Sequence, residues 1–192
     1  MSTPDTAWQR VYGFTARWEV GWVSPAQADA TGDPGGATQH GITQATADRL
    51  GLGPVAALTP ERVEAALREH YWHGPAIDTL WPISPAAALV TFDFGVQSGP
   101  PRAVSELQLE VGAHPDGKIG PRTRAMVLLY GGAKAASGLL LRRRAFLARW
   151  ILRDPKRERL RKGLTNRMDA LAHEIAALAH EIAALEREGV QP

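Results

Sequence analysis

Trp18-Glu19-Val20-Gly21-Trp22, followed by Gly32-Asp33-Pro34-Gly35-Gly36-Ala37-Thr38-Gln39-His40-Gly41-Ile42-Thr43, is the stretch on which the reading of this chain turns. Counting about 100° per residue from Trp8 puts Val11, Tyr12, Thr15, Trp18, Glu19 and Trp22 on one side of a helix. Glu19 then falls inside a largely apolar stripe. An ionised carboxylate is costly to bury there, so such surroundings favour the neutral acid. A carboxyl still protonated near neutral pH can act as a general acid. The second piece is built from Asp, Pro and paired Gly, a backbone able to approach a ligand closely. It brings two hydroxyls, Thr38 and Thr43, and another carboxylate, Asp33. The plainer alternative is that Glu19 only ends a helix and the Gly-rich piece is only a turn.

Working outward, the chain reads as helix after helix. Thr43 has the character of an N-cap for a short helix closing at Leu50-Gly51. Thr59-Pro60-Glu61 combines a cap, a first-turn Pro and an acid near the helix dipole. Val63, Ala66, Leu67, His70 and Tyr71 continue that helix until Gly74-Pro75. Ser84-Pro85 starts another, with Leu89, Phe92, Asp93 and Val96 on one face, and Ser98-Gly99-Pro100-Pro101 stops it. Asp93 on an apolar face has a structural reading, bonding a neighbouring segment, beside a role in the site. Arg102 to Val111 forms a further helix, His114-Pro115-Asp116-Gly117 turns the chain, and Thr123 opens the next. No segment alternates with period two beyond a short hairpin around residues 20–43, so the expected class is mainly α.

The chain has 192 residues, no Cys and six Trp against four Phe and three Tyr. That length suits one domain with an appendage. Absent cysteine removes disulfides and thiolate metal sites, and neither a metal nor a cofactor is expected. The Trp-rich aromatic set suits stacking on sugars and equally suits a core. No apolar run approaches a membrane span, and Met1–Gly13 lacks the pattern of a secretory signal. The expectation is therefore a protein made in the cytoplasm and passed outward by another factor, a holin-type pore or a dedicated exporter.

The net charge of +2 conceals an asymmetry. Residues 142–167 hold eleven basic side chains against two acidic ones, a local +9, and an acidic tail follows. Mixed with Leu139, Leu140, Leu141, Phe146, Leu147, Trp150, Ile151 and Leu152, this segment could meet an anionic envelope surface. Charge alone would also allow nucleic acid, which is not the expected partner. The alternative is a core helix with a solvated Arg face. In the tail, Ala170–Ala176 repeats unchanged as Ala177–Ala183. Leu171, Ile175, Leu178, Ile182 and Leu185 form a heptad seam that would either pair two chains as a homodimer or pack back on the parent domain. His173 and His180 stand at outward positions and read as solvated.

Several ordered blocks then carry a family resemblance. Trp18-Glu19-Val20-Gly21-Trp22 resembles the His-Glu-Gly-Gly-Tyr stretch of glycoside hydrolase family 108, the phage-type N-acetylmuramidases. Asp33-Pro34-Gly35-Gly36-Ala37-Thr38 with Gly41-Ile42-Thr43-Gln44 is similar to that family's next block. Tyr71-Trp72, then Phe92-Asp93-Phe94-Gly95-Val96-Gln97-Ser98-Gly99-Pro100 with Arg102-Ala103, resemble two more. Leu107-Gln108, Asp116-Gly117-Lys118-Ile119-Gly120-Pro121 and Thr123 resemble the peptidoglycan-binding-like region that ends such enzymes. The similarity runs from about residue 8 to about residue 168. Two departures stand out: Val20 replaces a Gly, and the loop from Glu19 to Asp33 is longer than the family's usual one.

The resemblance implies a lysozyme-like helical fold, with a catalytic region, 1–100, and a helical peptidoglycan-binding-like region, 101–167. The long heptad-patterned C-terminal helix, 168–192, is read from its own spacing and lies outside the resemblance. The resemblance further implies hydrolysis of the β-1,4 bond between N-acetylmuramic acid and N-acetylglucosamine, with peptidoglycan as partner and Glu19 as general acid. Inverting hydrolysis needs a base roughly 6.5–9.5 Å from the acid, and retaining hydrolysis a nucleophile about 5–5.5 Å away. Inversion is expected, with Asp33, or a water held by Thr38 or Thr43, on the far side of the ring, and Asp29 in reserve. Trp22, His40, Thr43, Tyr71, Trp72, Asp93 and Gln97 are the expected substrate contacts. Two other classes stay open: a wall-binding module without hydrolysis, and a membrane-active or scaffold protein acting through residues 139–188.

Overall fold

Ser84-Pro85 opens the helix that the others surround. Ser84 is extended, its hydroxyl accepts from the Ala87 N–H at 3.1 Å, and Pro85 fills a first-turn position where no N–H is needed. The computed structural model describes residues 4–19, 21–24, 27 and 36–187. The helices are α1 (Pro4–Ala16), α2 (Gln44–Arg49), α3 (Pro60–Leu67), α4 (Pro85–Ser98), α5 (Pro100–Val111), α6 (Pro121–Tyr130), α7 (Gly132–Leu152) and α8 (Arg161–Arg187). Three two-residue strands, β1 (Trp22–Val23), β2 (Thr38–Gln39) and β3 (Ile42–Thr43), complete the pattern.

The expected single apolar face of α4 proves too modest. Every residue from Ala86 to Val96 is buried, and α1, α5, α7 and α8 all pack against the helix. A helix apolar all round has no solvated side and must sit inside the domain. Ala86, Ala87, Ala88 and Gly95 keep it slim on several sides. Around it gather Trp8, Trp72 and Phe92: Trp8 meets Phe92 edge-on at 5.5 Å and Trp72 meets Phe92 edge-on at 5.8 Å between ring centroids. The Trp8 Nε1–H donates to Glu64 on α3 at 2.9 Å, so its one polar atom is satisfied.

Locally encoded starts stand where the caps and prolines place them. Thr43 caps α2 by accepting from the Thr46 N–H, and Thr59 caps α3 by accepting from the Arg62 N–H. α6 opens two residues earlier than expected, at Pro121. Thr123 lies inside that helix, where its hydroxyl accepts from the buried Gln108 amide at 3.0 Å. The Gln108 amide also donates to Asp116 and to the Lys118 carbonyl, and its carbonyl accepts from the Gly117 N–H. One side chain thus fixes the whole Asp116–Lys118 loop.

The hairpin anticipated near residues 20–43 is a three-stranded antiparallel sheet in the order β1-β2-β3. Thr38 pairs with Val23 on one side and Thr43 on the other. His40 and Gly41 form the two-residue turn between β2 and β3, with φ of 46° and 84°. Positive φ at both central residues gives the twist that tight hairpins require.

At the C-terminus the heptad seam is buried against its own chain. Leu171, Ile175 and Leu178 join the core, at 0%, 6% and 3% exposure, whereas Leu185 is 37% exposed. Arg10 on α1 straps the helix down, donating to Glu174 at 2.7 Å and Glu181 at 2.9 Å. α8 begins at Arg161, so the basic segment supplies its first two turns. Much of that segment's charge is matched internally. Arg142 pairs with Glu106 and Glu110, Arg144 with Asp169, Arg157 with Asp154, Arg161 with Glu158, and Arg143 and Arg167 with Asp93.

Because Leu171 is fully enclosed, Leu171→Ala should lower the free energy of unfolding by about 2–5 kcal/mol. Leu185→Ala should stay within about 0.5 kcal/mol. Urea midpoints of the two variants check this; equal midpoints would mean that α8 does not pack on the domain.

Candidate active site

Glu19 is not on a helix. α1 ends at Ala16, and the chain leaves it through a turn in which the Trp18 and Glu19 N–H groups donate to the Thr15 and Ala16 carbonyls. The expected helix from Trp8 to Trp22 is thus six residues too long. The apolar spacing carries on past the point where the backbone departs. The reason offered for a neutral Glu19, apolar surroundings, does not describe it either. Its Oε1 accepts from Arg167 Nη1 at 2.7 Å, and its side chain is 17% exposed.

Arg167 belongs to a buried cluster centred on Asp93. Asp93 Oδ1 accepts from the Thr15 hydroxyl and from Arg167 Nη2, at 2.8 and 2.7 Å. Its Oδ2 accepts from Arg143 Nη1 and from Arg167 Nε, the latter at 3.1 Å. Four donors fill the four acceptor positions of a carboxylate. Arg143 also donates to the Asp93 carbonyl and to Gln97 Oε1. Thus α4 supplies the anion, α7 and α8 supply a guanidinium each, and the end of α1 supplies a hydroxyl.

The electrostatics follow from burial. Desolvation alone would push the Asp93 carboxyl up, but Arg167 and Arg143 outweigh it and hold the group far below the usual carboxylate range. Burial pulls the Arg143 guanidinium down, against the pull of Asp93. Burial pulls Arg167 down as well, yet Asp93 and Glu19 together raise it. Glu19 is the second acidic side chain on this pair of guanidiniums, and it is reached through Arg167.

The other side of Glu19 is closed by the β2–β3 turn. A Cβ built on Gly41 would lie 2.8 Å from Glu19 Oε2 and 3.0 Å from its carboxyl carbon. Gly41 is therefore required twice, for its φ of 84° and for the space it leaves. Oε2 has no hydrogen-bond partner among the described residues.

The remaining expected residues divide sharply. His40 sits at the turn beside Gly41, half-buried, with φ 46°. Thr38 lies in the same sheet, its hydroxyl donating to the Gly36 carbonyl at 3.1 Å. The Thr43 hydroxyl is occupied by the cap of α2 and by Thr46. Trp22 enters through its backbone, as the first residue of β1. Asp33, Asp29 and Val20 lie outside the described residues.

Two assignments to substrate contact need correction. Asp93 is fully buried and saturated by its donors, so it anchors the cluster and presents nothing to a sugar. Trp72 is 2% exposed among Trp8, Trp81 and Phe92, so it is core. Tyr71, 7% exposed, is nearly so, with its hydroxyl 3.5 Å from Arg49. Gln97 is half-buried and gives its carbonyl to Arg143. Sequence reasoning misses Arg143, Arg167, Thr15 and Gly41. A signal exists for Arg143: it stands four residues from both Leu139 and Leu147, inside an apolar stripe.

Glu19 thus has one oxygen held by a buried cation and the other against a short β-hairpin, in a helical domain. The model of the family described as Glycosyl hydrolase 108 matches residues 12–99. The solved structure of Brucella abortus SagA superposes with a TM-score of 0.74 at 30% identity, covering 91% of this chain and 96% of that one. No curated protein matches. The chain belongs to glycoside hydrolase family 108, and its fold is mainly α and lysozyme-like. Its general activity is that of a muramidase-type peptidoglycan hydrolase.

Two outcomes are expected from this geometry. Asp93→Asn leaves the buried Arg143 without its acidic partner and Arg167 with Glu19 alone, and should cost about 3–5 kcal/mol of stability at neutral pH. Since the folded Asp93 carboxyl lies below its unfolded value, its contribution is complete above the usual carboxylate range and is lost as pH falls through and below it. Urea unfolding between neutral pH and strong acid should show that loss in the parent chain and a flatter dependence in Asp93→Asn. Gly41→Ala should lower wall hydrolysis by at least about tenfold, since displacing a reacting group by an ångström can cost a hundredfold. Turbidity loss of a peptidoglycan suspension measures it, and parent-like rates would show that Gly41 does not shape the site.

Proposed function

We propose that the chain cleaves the β-1,4 bond between N-acetylmuramic acid and N-acetylglucosamine, with Glu19 as general acid and inversion at the anomeric carbon. The observation that carries this reading is the arrangement at Glu19 itself. Oε1 is tied to Arg167 and Oε2 lies against the β2–β3 turn, so this reading assigns the acid proton to Oε2. From there it passes to the glycosidic oxygen as the carbon–oxygen bond breaks. A water attacks the anomeric carbon from the other face and loses its proton to a base. Thr38, on the sheet that carries Gly41, is a candidate to hold that water, and Asp33 a candidate base. His40 and Gln97 are candidates to contact the glycan, His40 from the hairpin turn and Gln97 through its side-chain amide nitrogen.

Contact with an anionic envelope surface is a second element of the proposal. Arg149, Arg153, Lys156, Arg159 and Lys162 have no acidic partner among the described residues, and all five are exposed at the corner joining α7 to α8. Leu152, 77% exposed, stands among them. Charge of one sign beside an apolar side chain suits an anionic surface. The protein would reach the wall from the cytoplasm through another factor's pore or exporter.

Glu19→Gln preserves shape and removes the proton donor. Its turnover on purified peptidoglycan should fall by about 10²–10⁴-fold. Mass spectrometry of the released fragments should show N-acetylmuramic acid at the new reducing ends. Fragments ending in N-acetylglucosamine would reassign the bond, and a loss under about tenfold would remove Glu19 from the acid role.

A further inference from the structure

We propose that Arg167, on the C-terminal helix, is the positioning residue for Glu19: it selects which carboxyl oxygen carries the proton and receives the charge left when that proton departs. The inference rests on Glu19 acting as the acid, and it deepens that reading.

The guanidinium of Arg167 uses three donors in one plane. Nε and Nη2 form a fork on Asp93, at 3.1 and 2.7 Å, and Nη1 reaches Glu19 Oε1 at 2.7 Å. A planar fork clamped on one carboxylate has no freedom to swing, so the direction of the third N–H is fixed. Arg167 is 5% exposed, and Asp93 is held in turn by Arg143 and Thr15. The chain of support therefore runs from the core outward and ends on Glu19.

The chemistry follows from that direction. An oxygen accepting a short N–H from a cation does not also carry a proton, so the acid proton of Glu19 resides on Oε2. When Oε2 gives its proton to the leaving oxygen, the electron pair of the broken carbon–oxygen bond goes to that oxygen, and Glu19 becomes a carboxylate. The hydrogen bond from Arg167 strengthens as that charge appears, which favours the transition state over the bound substrate. Arg167 itself is too deeply buried to touch the glycan. Its removal should therefore lower kcat and leave KM in place.

Arg167 lies outside residues 12–99, the segment matched by the family model. The site is thus completed from the C-terminal third of the chain, by a helix that also buries the Leu171–Leu178 seam.

Full-length Arg167→Met, Arg167→Lys, Arg143→Met and Glu19→Gln should be compared on soluble glycan fragments, with melting temperatures recorded for each. Arg143→Met strips Asp93 of a guanidinium without touching Glu19, so it reports the effect of a damaged cluster alone. The expected result is a fall in kcat of about ten- to a hundredfold for Arg167→Met, the worth of a charge-assisted hydrogen bond. KM should stay within about twofold, and the fall should exceed that of Arg143→Met by about tenfold. Arg167→Lys keeps a cation without the three-point fork and should recover part of kcat. Equal kcat losses in Arg167→Met and Arg143→Met would overturn the proposal, leaving Arg167 as structure only. Should Arg167→Met fail to fold, Arg167→Lys decides alone: kcat within about twofold of the parent overturns it, and a larger fall at constant KM supports it. Activity retained in Glu19→Gln would instead bring down the underlying reading of Glu19, whatever Arg167 does.

Discussion

A carboxylate in the middle of a helix that is buried on every side has to be answered by cations, and Asp93 imposes that demand on the whole chain. Desolvation of an isolated charge at such depth exceeds what packing can offset. The answering groups must therefore arrive, and they come from separate helices: Arg143 from α7 and Arg167 from α8, with Thr15 from the end of α1. One anion stands against two cations, and Glu19 adds a second acidic side chain at the outer end of the network, on Arg167. The stabilising network and Glu19 are thus joined through Arg167. A buried ionic cluster of this sort gives little net stability over an apolar core of equal volume. What it gives here is register, because α7 and α8 can bind Asp93 in only one rotation.

How much of this is legible in the sequence depends on the range of the interaction. Caps and prolines act within four residues, so Thr43, Thr59 and Ser84 mark their helices directly in the sequence. The buried seam of Leu171, Ile175 and Leu178 is local too, and its periodicity names the residues that turn inward. It leaves open what they pack against, since an apolar stripe is the same whether its partner is a second copy or the parent domain. The hairpin is visible through its Gly-rich composition but not through alternation, because strands of two residues have none to show.

The long-range parts are less legible. Arg143 and Arg167 are 50 and 74 residues from Asp93, and no spacing rule spans such distances. In a segment of net charge +9 they look like members of a solvated Arg face. What distinguishes them is position rather than composition, since each interrupts an apolar stripe with a cation. Asp93 interrupts the stripe of α4 in the same way, with an anion. Buried charges of opposite sign need one another, so interruptions of this kind are natural partners even when far apart in the chain. At the site, Glu19 stands out for its chemistry, but apolar surroundings are the wrong reason for it. The helical count runs on through a turn, and what lies beside the carboxyl is a guanidinium.

The two boundaries of Glu19 differ in kind, and the difference bears on how such a site can change. Oε1 is fixed by the rigid interior, through donors that cannot be altered without disturbing α4, α7 and α8. Oε2 is bounded by a glycine in a two-residue turn at the surface, where the sheet consists of short strands. Substitutions and insertions around that turn can reshape what reaches the carboxyl while the buried side stays as it is. The core constrains one oxygen of Glu19, and the hairpin bounds the other. A chain 30% identical to another can therefore retain its fold over nearly its whole length.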